Sequence, residues 1–241
     1  MTMFAGFQLS LQLKYGRMSS LSNRLHLIII VLLSTMLMSC TKTVTEKYPD
    51  GTIKSEVSMR GGLKNGEARY YYPNGKIEVR MQYADDQLNG LYEEFDVNGK
   101  KTEITTFADG LKNGSQKTFY ENGQVQMQAN FENDKLHGAY AEFYPNGQPR
   151  VSGQYKLGLF DGTWNYYESN GILVGTGKFI NGTGQQTAYF YGSKKTRAVV
   201  HYVNNEKDGE EITYSQDGNI EKKIVYKKGR IVSTPKNTST P

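Results

Sequence analysis

Few side chains here are of the types that carry out covalent chemistry, and their spacing does not gather them. Of the chain's three histidines only His137 and His201 follow Cys40, the only cysteine. A Ser-His-Asp set needs residues converging from different elements, and a zinc site needs more His, Cys or carboxylate ligands than these. Glu93 and Glu94 are a pair of carboxylates, but neighbours on a strand point to opposite faces. Hydrolysis of a glycosidic bond needs two carboxyls roughly 5–10 Å apart across one cleft. The many Asp and Asn residues lack the Asp-x-Asp-x-Asp density of a calcium loop. These residues point to no catalytic set, no metal and no cofactor. The chemistry left is recognition. Tyr70, Tyr92, Tyr140, Trp164 and Tyr166 recur in one phase of the repeating pattern described next. Tyr and Trp combine large apolar area with a polar tip and dominate binding hot spots.

The elements that must position them follow from a period of 24 residues. Asn-Gly or Asp-Gly pairs, with Ser-Asn-Gly at the last, place Gly51, Gly75, Gly99, Gly123, Gly147 and Gly171 at that step. A second glycine keeps it at Gly66, Gly90, Gly114, Gly138 and Gly162. A bulky column runs Met59, Tyr83, Phe107, Phe131, Tyr155, Phe179, and an aromatic one Tyr71, Phe95, Phe119, Phe143, Tyr167. A fixed period of this size means stacked units that bury each other's surfaces. Strict alternation from Gln124 to Phe131 gives a strand, Asn133 to Gly138 reads as a turn, and Ala139 to Phe143 as the return strand. Asn-Gly supplies the positive φ of tight hairpins. The fold class is therefore all-β: an elongated, open, single-layer twisted antiparallel meander of about seven to eight hairpin repeats, each advancing about 10 Å. The two bulky columns are expected to interleave on the core face. That places Tyr92, Tyr140, Trp164 and Tyr166 on the opposite face, either as a binding strip or as rings that thicken the sheet by packing on one another.

The amino-terminal region has the features of a leader. Arg17 and Arg24 precede an apolar run from Leu27 to Met38, too short to span a bilayer and suited to a signal peptide. The run ends in Leu37-Met38-Ser39-Cys40, which resembles the bacterial lipobox. That resemblance implies cleavage before Cys40 and lipid on its thiol. No Asp follows the cysteine, which by analogy with enteric bacteria points to the outer membrane of the cell envelope. Residues 1–39 are thus a lipoprotein signal peptide, whose true start is expected at Met18. Residues 40–47 form a lipidated tether, 48–232 the array, and 233–241 a disordered tail. Lys14, Arg17 and Arg24 account for three of the 29 basic residues, leaving 26 against 24 acidic ones after the leader. So balanced a body lacks the footprint of a nucleic-acid binder.

Tyr-Pro-Asn-Gly-Lys, an alternating strand closed by an aromatic, then Asn-Gly before a Tyr-rich strand resembles the bacterial MORN-repeat variant of antitoxin-like proteins. The resemblance covers roughly Tyr48 to Ile231. It implies an open β-meander without enzymatic activity, used for attachment or recognition. The expected function is a lipid-anchored binding or scaffold surface for a protein or envelope partner. The alternatives are immunity against a specific toxin, from the family label, and binding of envelope polysaccharide by the aromatic strip.

Overall fold

A computed structural model describes residues 40–233; the signal peptide, the Met18 start and the tail beyond Ser233 lie outside the described residues. Seventeen strands form one sheet, and no helix occurs among the described residues. They are β1 (Lys42–Lys47), β2 (Ile53–Arg60), β3 (Leu63–Tyr71), β4 (Ile77–Ala84), β5 (Gln87–Phe95), β6 (Lys101–Ala108), β7 (Leu111–Phe119) and β8 (Val125–Glu132). There follow β9 (Lys135–Phe143), β10 (Pro149–Lys156), β11 (Leu159–Tyr167), β12 (Leu173–Ile180) and β13 (Thr183–Tyr189). β14 (Thr196–Val203), β15 (Glu206–Tyr214), β16 (Ile220–Lys227) and β17 (Arg230–Ser233) complete it. Every strand pairs antiparallel with its neighbours in the chain, as the meander reading requires. At about 4.8 Å per strand the sheet runs roughly 75–80 Å along its arc.

Two turn types alternate, and the structure exchanges their roles relative to the sequence reading. The Asn-Gly turns are three-residue loops closed by a glycine bulge: Tyr72 N donates to Lys76 O (2.8 Å) and Gly75 N to Tyr72 O (2.9 Å). Only the glycine adopts positive φ, at 80° for Gly75, while the Asn74 carboxamide oxygen accepts from Lys76 N (3.0 Å). The two-residue turns with both φ values positive lie elsewhere. Asn133 (47°) and Asp134 (64°) join Glu132 to Lys135, the geometry whose twist matches the flanking strands. The turn read as Asn133 to Gly138 is therefore two residues long, and Gly138 lies inside β9. Eight such turns, from Gly61-Gly62 to Lys228-Gly229, define eight hairpins after β1.

The second glycine column is a column of bulges. Gly90 has φ 117° within β5, where Tyr83 pairs with Leu88 but Met81 pairs with Tyr92. Three residues thus bulge opposite Gln82. On its other side each such glycine faces the bulky column of the next repeat: Gly66 opposes Tyr83, Gly90 opposes Phe107 and Gly114 opposes Phe131. A ring can lie over a residue with no side chain, which explains why the two columns keep one period.

Hydrogen bonds zip both edges of the array. Tyr72 Oη donates to Phe95 O (2.9 Å) and Tyr120 Oη to Phe143 O (2.7 Å), linking these Asn-Gly turns to the strand end beside the next one. Along the other edge Asp86 N donates to Lys64 O and Asp134 N to Lys112 O, both at 2.9 Å. The segment read as a tether is corrected: Lys42–Lys47 is β1, and Lys42 to Glu46 pair in unbroken register with Met59 to Ser55. Its Thr-Val-Thr core is β-prone, and β2 would otherwise offer it an unpaired backbone. Ser233, read as the start of the tail, pairs with Val225 as the last residue of β17.

Candidate binding face

Register decides which side chains share a face. In β8 the alternation Met127, Ala129, Phe131 meets Glu142, Tyr140 and Leu136 of β9 directly. Tyr140 therefore lies on the face of the first bulky column and not opposite it. Tyr92 does the same: its ring meets Phe107 edge-on at 6.1 Å. All four expected binding residues sit on this face, which corrects their placement. The second aromatic column occupies the other face. There Tyr71 Oη donates to Glu56 (2.6 Å), and the Lys101 ammonium stands 5.7 Å from the centroid of the Phe95 ring. The two columns do not interleave; they lie on opposite sides of the one layer.

Trp164 is the centre of the common face and is only 2% exposed. Tyr155 meets it edge-on at 5.0 Å, Phe160 at 4.9 Å, and Tyr140 is tilted at 5.8 Å. It lies over Gly153, where a Cβ would come within 2.2 Å of the indole. Phe160 and Tyr202 sit on β11 and β14, about 14 Å apart on a flat sheet, yet their rings are 6.4 Å apart. The sheet curls with this face inward. Gly175, Gly177 and Gly184 free the inner side of bulk; a Cβ on Gly184 would meet Lys178 O at 2.0 Å. The Asn205 carboxamide locks the curl, accepting from Phe160 N and donating to Gly158 O, both at 2.8 Å. Trp164 is therefore core, while Tyr92, Tyr140 and Tyr166 are half-buried.

Toward the amino terminus the same face is polar. Tyr140 Oη donates to Glu142 at 2.5 Å, and Arg150 forms an ion pair with that carboxylate. Burial pushes the Tyr140 hydroxyl well above its ordinary range, and the Glu142 hydrogen bond adds to this. Burial also raises Glu142, but the Tyr140 and Arg150 contacts together outweigh it and hold that carboxyl low. Tyr92 is pushed up to about 12 by burial and then by Glu94 and Glu103; Tyr166 reaches about 12, chiefly through burial. Glu94 and Glu103 are direct cross-strand partners, a like-charge pairing that destabilises a sheet. Glu103 accepts from Thr105 Oγ1 (2.6 Å) and Gln116 Nε2 (2.8 Å). The sequence reading missed Glu94, Glu103 and Glu142 as members of this face. Tyr-x-Glu at 92–94 and again at 140–142 was the signal that could have found Glu94 and Glu142; Glu103 carries no such motif.

The opposite face holds a different arrangement. Glu93 is 7% exposed and accepts from Arg80 Nε (2.7 Å) and Lys101 Nζ (2.6 Å). Burial raises its carboxyl, but the Lys101 and Arg80 contacts win and set it below its ordinary value. A depressed folded value means that the stabilisation is full above the unfolded carboxyl range and lost as pH falls through the folded value. Glu93→Gln is expected to cost roughly 1–3 kcal/mol at neutral pH. The melting-temperature gap to wild type should close on acidification below the usual carboxylate range; a gap independent of pH would contradict this role. His137, read as a turn residue, belongs to β9 with Nδ1 3.1 Å from the Glu132 carboxylate, and His201 Nδ1 lies 3.0 Å from Glu210 O in β15.

No curated protein matches the chain. Residues 64–85, 112–133, 136–157 and 207–228 match the family described as MORN repeat variant. Each matched stretch runs from the bulged second strand of one hairpin, through the glycine-closed turn, to the two-residue turn that ends the next strand. At these four units the repeat of this sheet is similar to the MORN repeat variant.

Proposed function

We propose that this chain is a non-enzymatic binding or scaffold protein, anchored in the bacterial cell envelope by lipid on Cys40, that holds a protein partner along the polar-aromatic part of its inward face. The observation that carries the reading is the pairing of Glu94 with Glu103 on a face that no second layer covers among the described residues. Such a pairing weakens the sheet by itself, and a partner bringing cationic groups to it would relieve the repulsion. Tyr92 stands beside Glu94, and farther along the same face Tyr140 stands beside Glu142; both rings supply apolar area with a hydroxyl tip, a composition favoured in interfaces. The partner class is therefore a protein with a basic, hydrogen-bonding surface.

Glu94→Lys separates binding from folding. It turns the like-charge pair into an opposite-charge one, so the melting temperature should hold or rise. Capture of the partner from envelope extracts by the full chain should fall several-fold. Undiminished capture would overturn the reading. The anchor has its own test. Cys40, exposed at the edge of the described region, is expected to carry the lipid, so Cys40→Ala should move the protein from the membrane to the soluble envelope fraction. Unchanged partitioning would remove the anchor from the proposal.

A further inference from the structure

Among the described residues the sheet is open, and its two end strands each present an unpaired backbone edge. They differ in how that edge is protected. β17 has four residues and follows Lys227 and Lys228, with Arg230 at its start. Shortness and repeated cations are the usual devices that prevent edge-to-edge pairing. β1 has neither. Its register with β2 is regular from Lys42 to Glu46, with no bulge or proline in that stretch, and Val44 is 41% exposed.

The sequence of β1 is also self-complementary. Lys42-Thr43-Val44-Thr45-Glu46 has a Thr-Val-Thr centre symmetric about Val44, with opposite charges at equal distances on either side. We infer that two copies of this chain join edge to edge through β1, antiparallel, about a two-fold axis at Val44. That axis sets Lys42 opposite Glu46 of the second copy, Thr43 opposite its Thr45, and Val44 opposite its Val44. The Lys42–Glu46 ion pair forms twice by symmetry, as an isologous interface requires. A one-residue slip would set Lys42 opposite Lys47 and lose the Val–Val contact, so the charges fix the register. Neither charge is committed elsewhere in a tight contact. Glu46 lies 3.9 Å from the exposed Lys54 ammonium, and the described residues give Lys42 no ion pair. The apolar continuity agrees as well. Val44 pairs with Val57 of β2, so the two-fold lines up Val57 and Val44 of one copy with the same residues of the other on one face. The result is a single continuous sheet of twice the length, with both β17 ends outward and protected.

The test is a charge swap on the full chain purified in detergent, read as particle mass against concentration. Wild type should be a dimer. Lys42→Glu and Glu46→Lys should each weaken it by roughly tenfold, since each places like charges opposite one another twice. The double variant restores two opposite-charge pairs and should regain wild-type association. All four proteins should melt alike, because these side chains are exposed. A Val44→Cys variant should form a disulfide dimer under mild oxidation, above the wild-type background, whereas Ile220→Cys, at a more exposed site near the other end, should not. A monomeric wild type, a mass unmoved by the single reversals, a double variant without recovery, or equal crosslinking at both positions would overturn the inference.

Discussion

Trp164→Ala is expected to destabilise the protein by about 3–5 kcal/mol, the range for removing a large buried aromatic. Trp164 is 2% exposed, and its ring touches Tyr140, Tyr155 and Phe160. Its removal opens a void at the point where the curled part of the sheet is held by ring contacts, and the flanking strands are already hydrogen-bonded and cannot close it. The measurement is a melting curve of wild type and variant under one condition. A binding hot spot on a solvent face would give the opposite pattern, with an unchanged melting temperature and a weakened complex. An unchanged melting temperature would therefore refute the packing described above.

Gly153→Ala should be comparably severe, at about 3 kcal/mol, because overpacking forces neighbours out of place. The added methyl would lie 2.2–2.6 Å from three atoms of the indole, so the tryptophan must leave its site. Trp164 is the sole tryptophan, and its fluorescence should shift to the red in the folded variant as the ring gains water. The decisive comparison is the double variant. With Trp164→Ala already present, Gly153→Ala meets open space, and the loss of unfolded-chain freedom then favours the alanine by about 0.4–1 kcal/mol. The two substitutions should couple by about 3–4 kcal/mol; simple additivity would show that Gly153 and Trp164 do not share one site.

The sequence by itself determined the repeat, the strand class and the order of pairing. Glycines at a step of 24, alternation in segments such as Gln124–Phe131 and turn residues between them admit little except consecutive hairpins, because each constraint is local in the chain. The count of seven to eight repeats agrees with eight hairpins following β1, and the open single layer is the one expected. Which face each ring occupies was not local. It depended on whether the chain turns at Asn133-Asp134 or farther on toward Gly138. Side chains alternate with a period of two, so the pairing of Phe131 with Leu136 fixes the side on which Tyr140, Trp164 and their equivalents lie. Only the tertiary structure shows that pairing. It likewise shows the curl that brings Phe160 to Tyr202, the glycines that permit it, and the closing of Asn205 onto a turn 47 residues earlier. β1 was hidden for a related reason: a short polar segment becomes a strand when a neighbouring edge satisfies its backbone, and that edge belongs to β2, not to the segment's own residues.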